Sequence, residues 1–303
     1  AALRNTPFGS VESLPKELAT LEDLSNGKKV EPIEIDQELV GKRQEVRRHL
    51  SESFKRKDFP IESEFEYQGQ HGHFKLGYTF DDELQTQMQK MLLQYKPDYG
   101  AIVALEPKTG KVLALVSFEK RGGDNENLAL KASFPAASIF KVVTASAAID
   151  RYDLSPDFEI AFNGGNWTLY KKNVLHNNTN RWTRSMSFKE AFARSINTVF
   201  GKIGIEYLEP ADLEEYAKRY NFNKEIPSDL PIETGFAEIP REQYALAEIA
   251  SGFNKINKMS PIQGAMIAAA IIQDGTMKAP YVVDSITNDQ GEVVYQGKPL
   301  AVE

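Results

Sequence analysis

Ser138-Ile139-Phe140-Lys141 is the pattern in this chain with the most direct chemical consequence. At the start of a helix, a spacing of three puts the lysine one turn beyond the serine on the same face. A lysine short of water, near the positive end of a helix, is held below its ordinary pKa. Once neutral, it can take the serine proton and make Ser138 a nucleophile. The backbone N–H groups of a helix start also face any oxyanion that develops there. The pattern alone is not specific, because Ser13-Leu14-Pro15-Lys16 and Ser25-Asn26-Gly27-Lys28 match it equally well. Both of those lie in polar segments broken by Pro or Gly, where nothing desolvates a lysine. Only the third has Phe134-Pro135 before it and Val142-Val143 after it.

Ser195-Ile196-Asn197 is the second candidate. A Ser/Asn pair late in a helix offers a hydroxyl for proton relay and an amide to grip a peptide backbone. Its plain alternative is a helix interruption whose side chains cap the next turn. His71 and His73 alternate on a candidate strand, but two ligands without a third make a poor metal site, so surface histidines are expected. Trp167 and Trp182 flank an Asn-rich segment, and packing under a long loop is their default role. Asp81-Asp82 reads as cap chemistry. No carboxylate pair of the glycosidase kind can be placed.

The elements that must carry these residues emerge from hydrophobic periodicity. Leu39, Val46, Leu50 and Phe54 make a thin apolar stripe on a helix through Gln37 to Lys57. Its basic residues, Arg43, Arg47, Arg48, Lys55, Arg56 and Lys57, read as a solvated face. Leu84, Met88, Met91, Leu92 and Tyr95 recur at helical spacing behind Thr79, Asp81 and Asp82 as capping residues. Ala101–Leu105 and Lys111–Val116 predict a hairpin around the turn Glu106-Pro107-Lys108-Thr109-Gly110, and their apolar character predicts cover on both faces. Helices are then expected over Ala137–Ile149, from Ser187 onward with Glu190 completing a capping box, over Ala211–Arg219 and Arg241–Ile249, and over Pro261–Gln273. Two strands, Tyr281–Ile286 and Glu292–Tyr295, close the pattern. The fold class is mixed α/β of the α+β type, an antiparallel sheet flanked by helices with an all-helical part.

Composition narrows the function classes. The 303 residues carry 36 Lys and Arg against 43 Asp and Glu, a net charge of −7, so no global positive field recruits nucleic acid. Cysteine is absent, which excludes disulfides, thiolate metal sites and Cys nucleophiles together. The longest unbroken apolar stretch, Ala265 to Ile272, is too short to span a bilayer. The start, Ala1-Ala2-Leu3-Arg4, does not read as a signal peptide.

Taken in order, these residues resemble a family. Tyr78-Thr79-Phe80-Asp81 with Leu84-Gln85, then Gly100 to Ala114 (GAIVALEPKTGKVLA), resemble the opening of a penicillin-binding protein transpeptidase domain. Phe134 to Lys141 resembles its first active-site motif, and Ser187 to Phe200 (SFKEAFARSINTVF) its second. Ser260 to Ala265, through Asp274-Gly275-Thr276 and Pro280, is similar to the later helix and return strand. The resemblance covers residues 77–303, which leaves 1–76 as a polar linker or pedestal segment.

The resemblance implies roles. Ser138 is the acylated nucleophile, Lys141 its base, Ser195 a proton relay and Asn197 a substrate-binding amide. The implied reaction cuts the terminal D-Ala–D-Ala bond of a peptidoglycan stem peptide and passes the acyl group to an amine of a neighbouring stem. β-Lactams would trap the serine. Neither cofactor nor metal is implied. The expected partners are peptidoglycan stem peptides, β-lactam antibiotics and proteins of the wall-synthesis complex, with no nucleic acid. Work outside the cytoplasm follows, with a membrane reached only through a removed signal or anchor. Two rivals remain: a serine β-lactamase with a similar Ser-x-x-Lys, and a non-catalytic β-lactam sensor or scaffold.

One departure stands out. The family's third motif, Lys-Thr/Ser-Gly-Thr/Ser, lies on a strand after the second motif. Here Lys-Thr-Gly occurs only at Lys108-Thr109-Gly110, upstream of the nucleophile, and reads as a hairpin turn. Truncation is the expectation, because a sheet without that strand would expose an unpaired edge.

Overall fold

The computed structural model describes residues 34–121 and 126–302, and its compact unit begins at Glu34. The Ser-x-x-Lys matches at Ser13 and Ser25 lie outside the described residues.

The first helix, α1 (Gln37–Lys55), starts where the Asp36 carboxylate accepts from the Leu39 N–H at 2.9 Å. Its stripe of Leu39, Val46, Leu50 and Phe54 is buried as expected, and Arg43 is buried in the same stripe. Strands β1 (Glu62–Tyr67) and β2 (Gln70–Tyr78) form a hairpin around Gln68-Gly69. Both turn residues have positive φ, 51° and 76°, the geometry that matches strand twist in a two-residue loop. The boundary drawn between residues 76 and 77 therefore falls inside β2. The reason lies in the sheet, ordered β1-β2-β9-β10, where β2 pairs antiparallel with β9 (Val283–Thr287) and β9 with β10 (Val293–Gln296). Half of that sheet comes from the segment read as a linker or pedestal.

Arg43 fastens α1 to the rest. Its guanidinium donates to the carbonyls of Pro227 and Ala279, both at 3.2 Å, and to that of Lys298 at 2.7 Å, and it lies 4.8 Å from the centre of the Tyr281 ring. The fully buried Asp229 feels its charge and accepts from the Val282 and Val283 N–H groups. Burial still holds the Asp229 carboxyl above the usual carboxylate range.

Helix α2 (Asp82–Tyr95) is capped by Asp81, which accepts from Leu84 N–H at 2.9 Å. Thr79, expected at that cap, instead donates to the Val112 carbonyl at 2.7 Å. Only Leu92 of the α2 stripe is buried. The helix serves the sheet through Gln85, whose amide accepts from Leu115 N–H and donates to Leu115 O, closing the outer edge of strand β4 (Val112–Glu119). Strand β3 (Tyr99–Leu105) pairs with β4 and, among the described residues, with no other strand. Cover on both faces holds for β4, with Val112, Ala114, Leu115 and Val116 buried, but β3 is only half-buried.

The rest of the chain is mostly helical. In order come β5 (Phe134–Pro135), α3 (Phe140–Tyr152), β6 (Glu159–Phe162), the short α4 (Lys171–Val174), β7 (Arg184–Ser187), α5 (Phe188–Ala193), α6 (Asn197–Glu206), α7 (Pro210–Arg219), α8 (Gln243–Ser251), β8 (Lys258–Met259) and α9 (Pro261–Ile272). Helices α3, α6, α7 and α8 share one apolar core built on Phe140, Val143, Val199, Phe200, Ile203, Leu213 and Ile249. A second core joins α1, the four-stranded sheet and α9. Helix α9 has Ser260 as its cap, Pro261 in its first position and Gly275 with φ +86° just beyond its end, as its sequence predicts.

Candidate active site

Ser138 sits in a 3₁₀ turn, Ala137–Ile139, that runs directly into α3. Two features place that turn. Strand β5 pairs with β8, and Ala136 N–H donates to Asn257 O at 2.8 Å, so the chain entering the turn is pinned to the segment after α8. Ala137, the residue before Ser138, has φ 45°, the left-handed region that costs an L-residue about 1 kcal/mol or more.

Phe140 is buried and anchors the first turn of α3, while Ser138 is exposed. Lys141 is 2% exposed. Its Nζ donates to Ser138 Oγ at 3.0 Å, Asn197 Oδ1 at 2.8 Å and Ser251 O at 2.6 Å, and lies 5.7 Å from the centre of the Phe200 ring. Burial pushes the ammonium down to about 8. Dehydration is the cause, rather than the helix start that the sequence also suggests.

Helix α5 does not run through Ser195 as expected. It ends at Ala193, and Ser195 takes φ 54° before α6 opens at Asn197. The break turns Ser195 toward the other serine, and Ser195 Oγ donates to Ser138 Oγ at 3.0 Å. Asn197 N–H donates to Asn166 O at 3.1 Å, and its side-chain Nδ2 donates to Trp167 O at 2.9 Å. Thr198 Oγ1 continues the pattern with Thr168 O at 3.3 Å. Residues 166–168 thus strap the start of α6 and fix the Asn197 amide with its oxygen toward Lys141. Trp167 O takes one of the two Nδ2 hydrogens and leaves the other without a protein acceptor among the described residues.

All four residues singled out in the sequence, Ser138, Lys141, Ser195 and Asn197, meet in one hydrogen-bonded group. The Lys108-Thr109-Gly110 turn joins none of it. Gly110 N–H donates to Glu106 O at 2.9 Å, and Gly110 has φ +81° where a Cβ would meet Ala279 O at 2.6 Å, so the glycine is a packing requirement. Trp167 and Trp182 are not packed under a loop; they are 75% and 70% exposed, and only the Trp167 carbonyl reaches the site. His71 and His73 face Glu64 and Asp289 separately, each at 3.7 Å, and no group of three metal-ligating side chains occurs among the described residues.

Sequence reasoning missed Ser251, whose carbonyl accepts from Lys141, and Thr144, whose Oγ1 donates to Ala250 O at 2.8 Å. Their signal was slight: Ser251-Gly252 reads as the end of a helix, and nothing in that pattern says which side chain its last carbonyls meet.

Residues 100–303 match the family described as penicillin binding protein transpeptidase domain. The peptidoglycan D,D-transpeptidase PbpA of Mycobacterium tuberculosis is 28% identical over 224 residues, covering 63% of this chain and 44% of that protein. Stage V sporulation protein D of Bacillus subtilis is 24% identical over 323 residues, covering 99% of this chain and 48% of its own. This chain thus spans about half the length of these curated relatives. The penicillin G acyl-enzyme structure of penicillin-binding protein A from M. tuberculosis superposes with a TM-score of 0.59 at 26% identity, over 74% of this chain and 57% of that one.

Proposed function

Starting from the fact that this chain belongs to the penicillin-binding protein transpeptidase domain family, we propose that it acylates Ser138 with a D-Ala–D-Ala stem peptide and transfers that acyl group to the amine of a second stem. One observation carries the reading: a buried Lys141, lowered to about 8, bonded at 3.0 Å to an exposed serine hydroxyl that also receives Ser195 Oγ.

Neutral Lys141 takes the proton as Ser138 Oγ attacks the penultimate D-Ala carbonyl. The oxyanion faces the Ser138 N–H, which lies among the first N–H groups of its turn, where no intrahelical acceptor is available. Collapse breaks the C–N bond, and the departing D-Ala amine needs a proton. Ser195, hydrogen-bonded to Ser138, passes it on from the Lys141 ammonium. The acceptor amine then attacks the Ser138 ester, gives up its proton along the same route in reverse, and restores the serine. The free Nδ2 hydrogen of Asn197 binds a carbonyl of the donor stem, while its oxygen holds Lys141 in place.

β-Lactams meet the same nucleophile and stop at the ester. Activity on the outer side of the cytoplasmic membrane belongs to the same reading, since that is where stem peptides are joined. Among the described residues no helix is long and apolar enough to cross a membrane. Partners from the wall-synthesis machinery are part of the proposal as well.

Labelled penicillin with mass spectrometry of the protein and its peptides tests it. On a chain that carries the third-motif strand, one label, on Ser138 and lasting long after excess drug is removed, is expected, and Ser138→Ala should take none; without that strand labelling should be slow or absent. Rapid multiple turnover would point to a β-lactamase, and no adduct on a folded, full-length chain to a non-catalytic scaffold.

A further inference from the structure

Helix α8 ends in a tight left-handed cap. Gly252 has φ +68°, its N–H donates to Ile249 O at 2.9 Å, and Phe253 N–H donates to Glu248 O at 2.8 Å. That double closure leaves the carbonyls of Ala250 and Ser251 without intrahelical partners. Both are taken by side chains one turn apart on α3: Thr144 Oγ1 donates to Ala250 O at 2.8 Å, and Lys141 Nζ donates to Ser251 O at 2.6 Å. The two helices approach so closely that a Cβ on Gly252 would lie 1.9 Å from Ala137 O and 3.1 Å from Ser138 N. One glycine therefore touches the backbone of the nucleophile while its neighbour holds the lysine.

Counting hydrogens gives this contact a consequence. An ammonium has three N–H donors, and Lys141 has three acceptors: Ser138 Oγ, Asn197 Oδ1 and Ser251 O. A neutral amine has two hydrogens and one lone pair. Asn197 Oδ1 and Ser251 O can only accept, so they take both hydrogens, and the lone pair is left facing the Ser138 hydroxyl. With only one pure acceptor, the amine could turn a hydrogen toward the serine and its lone pair away.

We propose that the Ser251–Gly252 terminus of α8 is a positioning device that aims the Lys141 lone pair at Ser138, and that Gly252 is the residue that permits it. The inference rests on the reading of Lys141 as the base. The groups facing Lys141 are uncharged: Ser138 at the entry to α3, Asn197 and Phe200 of α6, and Ser251 of α8. None of the charges elsewhere on the packed elements bonds to it. Asp150 and Arg151 of α3 meet Arg219, Asp212 and Glu215 of α7, Lys202 of α6 meets Glu206, and Glu248 of α8 is influenced by Glu242.

Two measurements on Gly252→Ala and Thr144→Val test the device. Thr144→Val keeps the shape of the side chain and removes only the hydroxyl bonded to Ala250 O. Glu242→Ala is the control, because it loosens the opposite end of α8, where Glu242 caps Ala245 N–H at 2.7 Å. The first measurement is an NMR pH titration of lysine-labelled protein, with the Lys141 signal assigned by its loss in Lys141→Arg. It needs no substrate, so it stands apart from the functional reading. Losing an acceptor disfavours the ammonium, so the Lys141 midpoint should fall by about one pH unit in Gly252→Ala and by a smaller step in Thr144→Val. Glu242→Ala should leave it unmoved. The second is the penicillin acylation rate on the plateau above these midpoints, expected to fall about tenfold in Gly252→Ala and severalfold in Thr144→Val. Should Gly252→Ala fail to fold, Thr144→Val decides. An unshifted midpoint, an unchanged plateau, or equal effects in Glu242→Ala would overturn the proposal. A parent protein that carries the third-motif strand and takes no label would instead count against the acylation reading, with the titration still judging the positioning device.

Discussion

Lys141 Nζ lies 3.0 Å from Ser138 Oγ, although the lysine is 2% exposed and the serine is open to solvent. The pair therefore spans the boundary between core and surface. Its buried member is short of water, which suits it to act as a base near neutral pH, and its exposed member is open to solvent. The separation depends on Phe140, which is buried between them in sequence and turns the helix so that one face carries both.

Acylation should rise with pH through about 8, because burial lowers the ammonium and only the neutral amine accepts the serine proton. Below that midpoint the rate constant should change about tenfold per pH unit. Lys141→Arg keeps the charge but cannot serve as a base, and should abolish labelling. A normal rate in that variant would remove Lys141 from the mechanism.

The same burial affects stability. The folded pKa is depressed to about 8 from 10.5, so below pH 8 the lysine is charged in both states and folding bears the full cost of burying it. Between the two values the unfolded chain binds more protons, and stability rises with pH. Relative to Lys141→Met, the parent should gain about 3 kcal/mol between pH 8 and 10.5 in denaturant titrations. A flat difference across that window would contradict the shift.

Ser195→Ala should lower acylation by about a hundredfold or more while leaving the fold intact, because Ser195 is bonded to Ser138 at the surface of the site. Stopped-flow labelling measures it. A rate within a few-fold of the parent would mean that Lys141 passes the proton without a relay.

Lys108→Ala should leave acylation nearly unchanged, because the Lys108-Thr109-Gly110 turn shares no bond with the site. A loss beyond about a hundredfold, roughly 2.7 kcal/mol of transition-state stabilisation, would give that turn a catalytic role.

Arg43→Met should destabilise the protein by about 3–5 kcal/mol, since it strands three carbonyls and the buried Asp229. Chemical denaturation measures this. A change below 1 kcal/mol would show that α1 is attached only loosely, as a linker rather than a pedestal would be.

Much of the site is legible in the amino-acid sequence. The capping serines, the 3.6-residue periodicity and the turn at Glu106–Gly110 are local features, set by a few neighbouring residues, so Ser187, Ser260 and the β3–β4 hairpin lie where the pattern put them. Ser138 and Lys141 share one turn, so their proximity follows from helix geometry alone.

Tertiary structure decided the rest, because it concerns groups far apart in the chain. Nothing local says that β2 pairs with β9, since a short mixed strand declares its partner only through the sheet it joins. The break at Ser195 was visible as an alternative, but its consequence, a hydroxyl turned onto Ser138, required α3 and α6 to be packed together. The Ser251 carbonyl was the least legible contact of all. A backbone oxygen carries no residue identity, and its meeting with Lys141 depends on two helices touching at a glycine. The sequence by itself determined which side chains could do the chemistry; packing determined which way the proton acceptor points.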